Sequence, residues 1–155
     1  MRPKQFTLIK VKPTPSAGLL LSYADGEQFE VSLIDIINRH PTLSRLKDQA
    51  VFGTAQLGDH GASVIWANDD DLELAADNLR ARAIEQAGGV SHEFIWNWMA
   101  RHALTLDSAA EALGTSRRML AYYRSGAKPV PRTVALACVG WEEVAKNDSG
   151  FAFAA

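Results

Sequence analysis

The order of apolar and polar residues changes character near the middle of the chain. In the first half the apolar runs are short and punctuated by turn residues. Phe6-Thr7-Leu8-Ile9-Lys10-Val11-Lys12 is rich in strand formers and alternates at its end, as a half-buried strand does. Pro13 and Pro15 are expected to break it. Leu19 to Tyr23 is a second apolar run, and Glu27 to Val31 alternates polar with apolar. Asp25-Gly26 between them signals a tight turn, because glycine tolerates the positive φ such turns need. The two flanking runs are therefore expected to form a hairpin. Leu33 to Ile37 predicts the start of a short helix that Pro41 ends or bends, and Leu43 to Asp48 a helical turn. Val51 to Leu57 and Ala62 to Trp66 predict a second hairpin around Gly58-Asp59-His60-Gly61. Asn68-Asp69-Asp70-Asp71 offers N-cap oxygens and a negative first turn to a helix over Leu72 to Gln86. Gly88-Gly89 is the expected stop and domain boundary.

The second half reads as helix throughout. Ser91 can cap a helix running to about His102, with Phe94, Ile95, Trp98 and Met99 as its apolar stripe. Trp96 lies off that stripe and is expected to meet the N-terminal domain or a second subunit. Thr105 can cap a short helix ending at Leu113. Gly114 breaks it, Thr115 is expected to cap a third helix, and Gly126 ends that one. Lys128-Pro129-Val130-Pro131 forms a rigid connector, and Pro131 suits the first turn of a fourth helix. Val134, Ala137, Cys138 and Trp141 would be its buried stripe. Asn147 to Ala155 has no periodicity and is expected to fray or pack on its own domain.

Composition bounds this picture without overturning it. The apolar fraction of 47% is that of a globular chain rather than a disordered one. No long uncharged apolar run predicts a membrane span, and the first five residues lack the apolar stretch of a secretion signal. Cys138, the only cysteine, cannot form an intrachain disulfide. A cytoplasmic protein is expected. The net charge of −2 hides an asymmetry. Residues 1–87 carry nine Lys/Arg against twelve Asp/Glu, whereas residues 88–155 carry seven against six. No acidic residue stands between Glu111 and Glu142, a stretch that holds Arg117, Arg118, Arg124, Lys128 and Arg132. A basic patch of that kind has a position that a motif can explain.

Two short helices around a glycine turn are the helix-turn-helix arrangement, and the small residues that let such helices approach are Ala109, Ala110 and Ala112. The segment Leu106 to Gly126 resembles the helix-turn-helix of the lambda-repressor-like family. Its recurrent small residue matches Ala110, its turn glycine Gly114 and its buried aliphatic Leu120. The continuation Gly126-Ala127-Lys128-Pro129-Val130-Pro131 before an apolar helix is also similar, so the resemblance covers about the last third of the chain. On a helical wheel Met119, Leu120 and Tyr123 share one face and would pack on the preceding helices. Arg117, Ala121 and Ser125 lie opposite, flanked by Arg118 and Tyr122, with Arg124 on one shoulder. Arginine can read guanine bidentately, alanine can touch a thymine methyl, and Tyr122 can reach a phosphate or a base. Thr115 or Ser116 can offer a hydroxyl and backbone N–H groups to a phosphate. The bland alternative is a solvated basic helix face on a domain that has kept the fold without the ligand.

The first half, over about residues 6–80, resembles the bacterial domain of unknown function numbered family 2442. Asp25-Gly26-Glu27, the turn at Leu43 to Leu46, Val51-Phe52, and Ile65-Trp66 followed by aspartates and a leucine carry that resemblance. It implies a small α+β domain, in some members followed by a helix-turn-helix and in some encoded beside toxin-like partners. It implies no chemistry.

Other constellations are weaker. Asp69, Asp70 and Asp71 lack the alternating ligands and central glycine of a calcium loop. His40, His60, His92 and His102 have no zinc spacing, and Cys138 has no cysteine partner. His102, one turn from Trp98, reads as a boundary histidine. No serine or cysteine sits in a strained glycine-flanked turn, and Gly58 to Gly61 has no helix behind it to cradle a phosphate. No enzyme, metal or cofactor is expected. The expected architecture is α+β: residues 1–87 as a small domain of two β-hairpins with short helices, and residues 88–155 as an all-α lambda-repressor-like helix-turn-helix domain of four or five helices. The expected function is sequence-specific DNA binding by a homodimeric repressor or autoregulator. Thr115, Ser116, Arg117, Arg118, Ala121, Tyr122, Arg124, Ser125 and Lys128 would touch double-stranded DNA. Thr115, Arg124 and Lys128 would hold phosphates. The N-terminal domain would dimerise, sense a small molecule or bind a small protein partner. The alternative is a protein-interaction module, an antitoxin-like partner of a small toxin.

Overall fold

The computed structural model describes residues 2–147. The fold is mixed α+β, and the chain divides into two compact units, Met1–Gly88 and Gly89–Ala155. Among the described residues no helix is long and apolar enough to cross a membrane.

The first unit opens with an antiparallel meander of β1 (Leu8–Thr14), β2 (Gly18–Tyr23) and β3 (Gln28–Ser32). The central strand shows why the alternation matters. Leu19, Leu21 and Tyr23 are buried on one face, while Leu20 between them is exposed. The β2–β3 hairpin is the one expected, closed at Asp25-Gly26, where Gly26 adopts φ +90° and Asp25 Oδ1 accepts the Glu27 N–H at 3.1 Å. Pro13 does not break β1. It stands opposite Leu19 on an edge strand, where a residue without an N–H is tolerated.

The second predicted hairpin around residues 58–61 is present but shortened, and a third strand extends it into a second three-stranded antiparallel sheet, as a third strand also extends the first. After α1 (Ile34–Arg39) and a 3-10 stretch over Pro41–Lys47, the Asp48 carboxylate accepts the Ala50 N–H at 2.9 Å and starts a one-turn helix, α2 (Gln49–Phe52). Val51 and Phe52, expected in a strand, are therefore helical, and β4 shrinks to Gln56–Leu57. It pairs with β5 (Ser63–Ile65), which pairs in turn with β6 (Glu73–Ala75). Strand β6 occupies what read as the first helical turn. α3 (Ala76–Gln86) begins after it, capped by no side chain. The aspartates instead close the β5–β6 turn: Asp69 Oδ1 accepts the Asp71 N–H at 2.9 Å, and Asp69 also pairs with Arg45. The core joins Leu19, Leu21, Val31, Trp66 and Leu79, with the Tyr23 hydroxyl donating to Ala76 O at 2.8 Å.

The second unit has four helices among its described residues: α4 (His92–Arg101), α5 (Leu106–Leu113), α6 (Arg117–Ser125) and α7 (Arg132–Asn147). Ser91 caps α4 by accepting the Phe94 N–H, and Thr105 and Ser108 form a reciprocal capping box on α5. Ile95, Trp98, Met99, Ala109, Ala110, Leu120, Val130 and Cys138 make the core. On α7 Cys138 is buried and Val134 and Trp141 pack beside it, but Ala137, expected in that stripe, is exposed. The helix is rotated so that Cys138 rather than Ala137 is centred on the core. The predicted behaviour of the tail beyond Asn147 lies outside the described residues.

Candidate nucleic-acid interface

The site is built on α5, a tight turn and α6. α5 ends because Gly114 takes φ +69°, a left-handed conformation that costs an L side chain about 1–2 kcal/mol. The Gly114 and Thr115 N–H groups fold back onto Glu111 O (3.2 Å) and Ala110 O (3.0 Å). Thr115 is thereby used to close α5, and it does not cap α6 as expected. Ser116 does, its hydroxyl accepting the Met119 N–H at 3.1 Å. Buried Ala109 and Ala110 let α5 approach α6, on which Leu120 is fully buried. Met119 and Tyr123 are half-buried beside it, and Gly126 (φ +74°) ends the helix.

Of the nine residues expected to touch DNA, Ser116, Arg117, Arg118, Ser125 and Lys128 are exposed, and Thr115, Ala121, Tyr122 and Arg124 are half-buried. Three groupings emerge. Arg118 Nε donates to the Tyr122 hydroxyl at 2.8 Å, and its guanidinium carbon lies 5.5 Å from the Tyr122 ring centroid. Lys128 Nζ sits 4.9 Å from the same centroid. The structure thus brings together two cations and a phenol whose own proton remains to be donated.

The second grouping is Arg117 Nε with Asp107 Oδ1 at 3.0 Å, a solvent-exposed ion pair from α6 to α5. The third is Arg124, whose guanidinium carbon lies 4.5 Å above the ring of Trp96 on α4. That stack engages Trp96 within its own unit, although the ring stays half exposed. Ser125 Oγ donates to Tyr122 O (3.2 Å) and accepts the Ala127 N–H (3.3 Å), a local C-terminal closure. Asp107 and Trp96 were absent from the sequence-derived set. Each acts across a helix–helix contact that spacing along one helix does not reveal.

The first turn of α6 holds no acidic side chain, and the N–H groups of Arg117 and Arg118 precede its first intrahelical bond. A helix start of this kind attracts anions. Behind it, Glu142 of α7 accepts from Arg101 Nη2 (2.6 Å) and meets His102 Nε2 at 2.9 Å. The hydrogen bond from Arg101, then that with His102, holds the Glu142 carboxyl below the ordinary range. The His102 ring lies edge-on to Trp141 with centroids 5.0 Å apart, the boundary role expected of it. Burial, reinforced by the charge of Glu142, pushes the Cys138 thiol up to about 12, so it is a core residue and no thiolate at neutral pH. Among the described residues no three His, Cys, Asp or Glu side chains are grouped to hold a metal ion.

No protein-family model matches the chain. No curated protein matches it either. Among solved structures, the crystal structure of a "putative DNA binding protein" from Nitrosomonas europaea ATCC 19718 is similar over 92% of this chain and 90% of that one, with 40% sequence identity and a TM-score of 0.82. At that identity and coverage the likeness extends beyond shared architecture, and the chain belongs to the same family as the Nitrosomonas europaea protein.

Proposed function

We propose that this protein binds double-stranded DNA sequence-specifically, as a homodimeric transcriptional repressor or autoregulator, with α6 in the major groove. The observation that carries the reading is the Arg118–Tyr122–Lys128 cluster, on the helix that follows a glycine turn. The description of the Nitrosomonas europaea relative points the same way. Lambda-repressor-like helix-turn-helix docking would bring the α6 start to the groove, where Arg117, Arg118, Ala121 and Tyr122 meet base edges. Lys128, the α6 N-terminal N–H groups and the turn at Thr115 and Ser116 serve phosphates. Arg124 reaches a phosphate only from its seat on Trp96, and Ser125 braces the helix end.

Dimerisation follows from the size of the reader: one nine-residue helix covers few base pairs, and two half-sites about 34 Å apart multiply affinity and specificity. Selection of the full-length protein against random duplex DNA tests this. Enrichment of a two-fold symmetric site is expected. Recovery of no consensus, with equal retention of all sequences, would remove the sequence-specific reading.

A second reading has its own observation. The N-terminal unit, whose resemblance to family 2442 is part of this proposal, has a groove of about 490 Å³ with Ile37, Leu46, Phe52 and Lys47 among its lining residues. An antitoxin-like module gripping a small protein partner would use that groove, and such a protein need not touch DNA.

A further inference from the structure

Among the described residues, α7 carries two large apolar side chains that stay exposed. Leu136 is 59% exposed and Val139 49% exposed, although Cys138 beside them is fully buried. With Arg132 and Glu143, also exposed, they recur at intervals of four, three and four residues. At 3.6 residues per turn the four side chains fall within an arc of about 60°. Gly140 borders the stripe, and a side chain placed there would meet nothing within 4 Å. The stripe is therefore open, apolar at its centre and charged at its ends.

Its ends are charged the wrong way for a solitary helix. Arg132 stands in the first turn of α7, which has no acidic residue, and Glu143 stands near its last turn. The helix dipole favours the reverse arrangement at both places. Arg132 forms no ion pair among the described residues, and Glu143 accepts only from the neutral Asn147 amide, at 3.1 Å. The stripe is also symmetric about one point. Leu136 and Val139 lie equally far on either side of the 137–138 peptide, and so do Arg132 and Glu143.

We infer that the occupant of this face is α7 of a second copy of the chain, running antiparallel about a two-fold axis at that point. Antiparallel docking sets Leu136 against Val139 of the partner subunit and Arg132 against Glu143 of the partner subunit, and the two-fold repeats both pairs. Each wrongly placed charge then gains an opposite neighbour, and each apolar side chain leaves water. The inference rests on the dimeric reading above and gives it a surface. One helix against its copy buries less than the roughly 1,200 Å² of a stable interface. Association is accordingly weak in free solution and complete on a two-half-site DNA.

Sedimentation equilibrium of the full-length protein without DNA, from about 1 μM to about 500 μM, reads this directly, because small interfaces associate in that range. The wild type is expected to shift from monomer to dimer. Arg132→Glu alone and Glu143→Arg alone each replace two attractive pairs by two repulsive ones and should weaken the dimer about tenfold or more. The double variant, and an equimolar mixture of the two single variants, restore opposite charges at both contacts and should return to within about threefold of wild type. Leu136→Asp should weaken self-association about a hundredfold with an unchanged melting temperature, since the site is exposed in the monomer.

A wild type that stays monomeric throughout overturns the inference, as it would if residues 148–155 of the same chain cover the face. A dimer indifferent to all three single substitutions overturns it too, while leaving dimerisation through another surface. A dimer that obeys the charge exchange but binds no duplex leaves this interface standing and removes the DNA-binding proposal instead.

Discussion

Arg117 and Arg118 are adjacent in sequence and identical in charge, yet the fold gives them different work. Arg118 lies against Tyr122 beside Lys128, whereas Arg117 is held by Asp107 on the preceding helix. Both partners of the second pair are well exposed, so the pair itself contributes little stability. Its effect falls on the ligand: Arg117 must leave Asp107 to reach a base, and the carboxylate repels phosphate. Asp107→Asn is therefore expected to raise affinity for duplex DNA about three- to tenfold, with the fold unchanged. Arg117→Ala should cost about 1–3 kcal/mol on the preferred site and relax preference at one base, and Lys128→Ala should weaken all sequences alike. A fluorescence-anisotropy series over a site library separates these outcomes. Unchanged affinity and preference in Arg117→Ala would exclude α6 as the reader.

At the scale of elements, legibility followed locality. Ser91, Thr105, Gly114 and Gly126 act within a turn of themselves, and the helices they bound are where spacing put them. The β2–β3 hairpin was legible for the same reason, since Asp25-Gly26 sets it locally. Asp69 to Asp71 have the composition of a helix start, but Glu73–Ala75 finds a distant partner in β5 and the aspartates are left to make a turn. Val51 and Phe52 have strand propensity, which a single cap at Asp48 outweighs. Thr115 and Ser116 are chemically equivalent caps. Their roles diverge only because the Thr115 N–H is consumed by Ala110 O.

That distinction is measurable: Ser116→Ala should lower the unfolding free energy by about 1 kcal/mol, and Thr115→Ala should do so distinctly less. Equal losses in denaturant titrations would return the cap to Thr115. The α4–α7 tie adds an acid-sensitive contribution. Glu142 titrates lower in the folded protein than in the unfolded chain. Its stabilisation is therefore full above the ordinary glutamate range and is lost as pH falls from that range through the lowered value of the folded protein. Melting curves between about pH 6 and about pH 3 should show wild type losing its advantage over Glu142→Gln as acid is added. A gap that widens toward low pH would contradict the assignment.

For the whole molecule, the informative charge is local rather than total. A net −2 would disfavour DNA if spread evenly, but residues 112–141 contain five cations and no carboxylate. The tertiary contacts divide those cations in a way the sequence did not show, because Trp96 and Asp107 each join α6 from another helix. The central claim is that the α6 face is a phosphate- and base-binding surface. Its most direct test is the affinity of full-length protein for its selected duplex as a function of salt. With Arg124 and Lys128 on phosphates, log affinity should fall with log salt at a slope of about −2 per subunit, lessened by about one in Lys128→Ala. A slope near zero with tight binding, or an unaltered slope in Lys128→Ala and Arg124→Ala alike, would contradict the account.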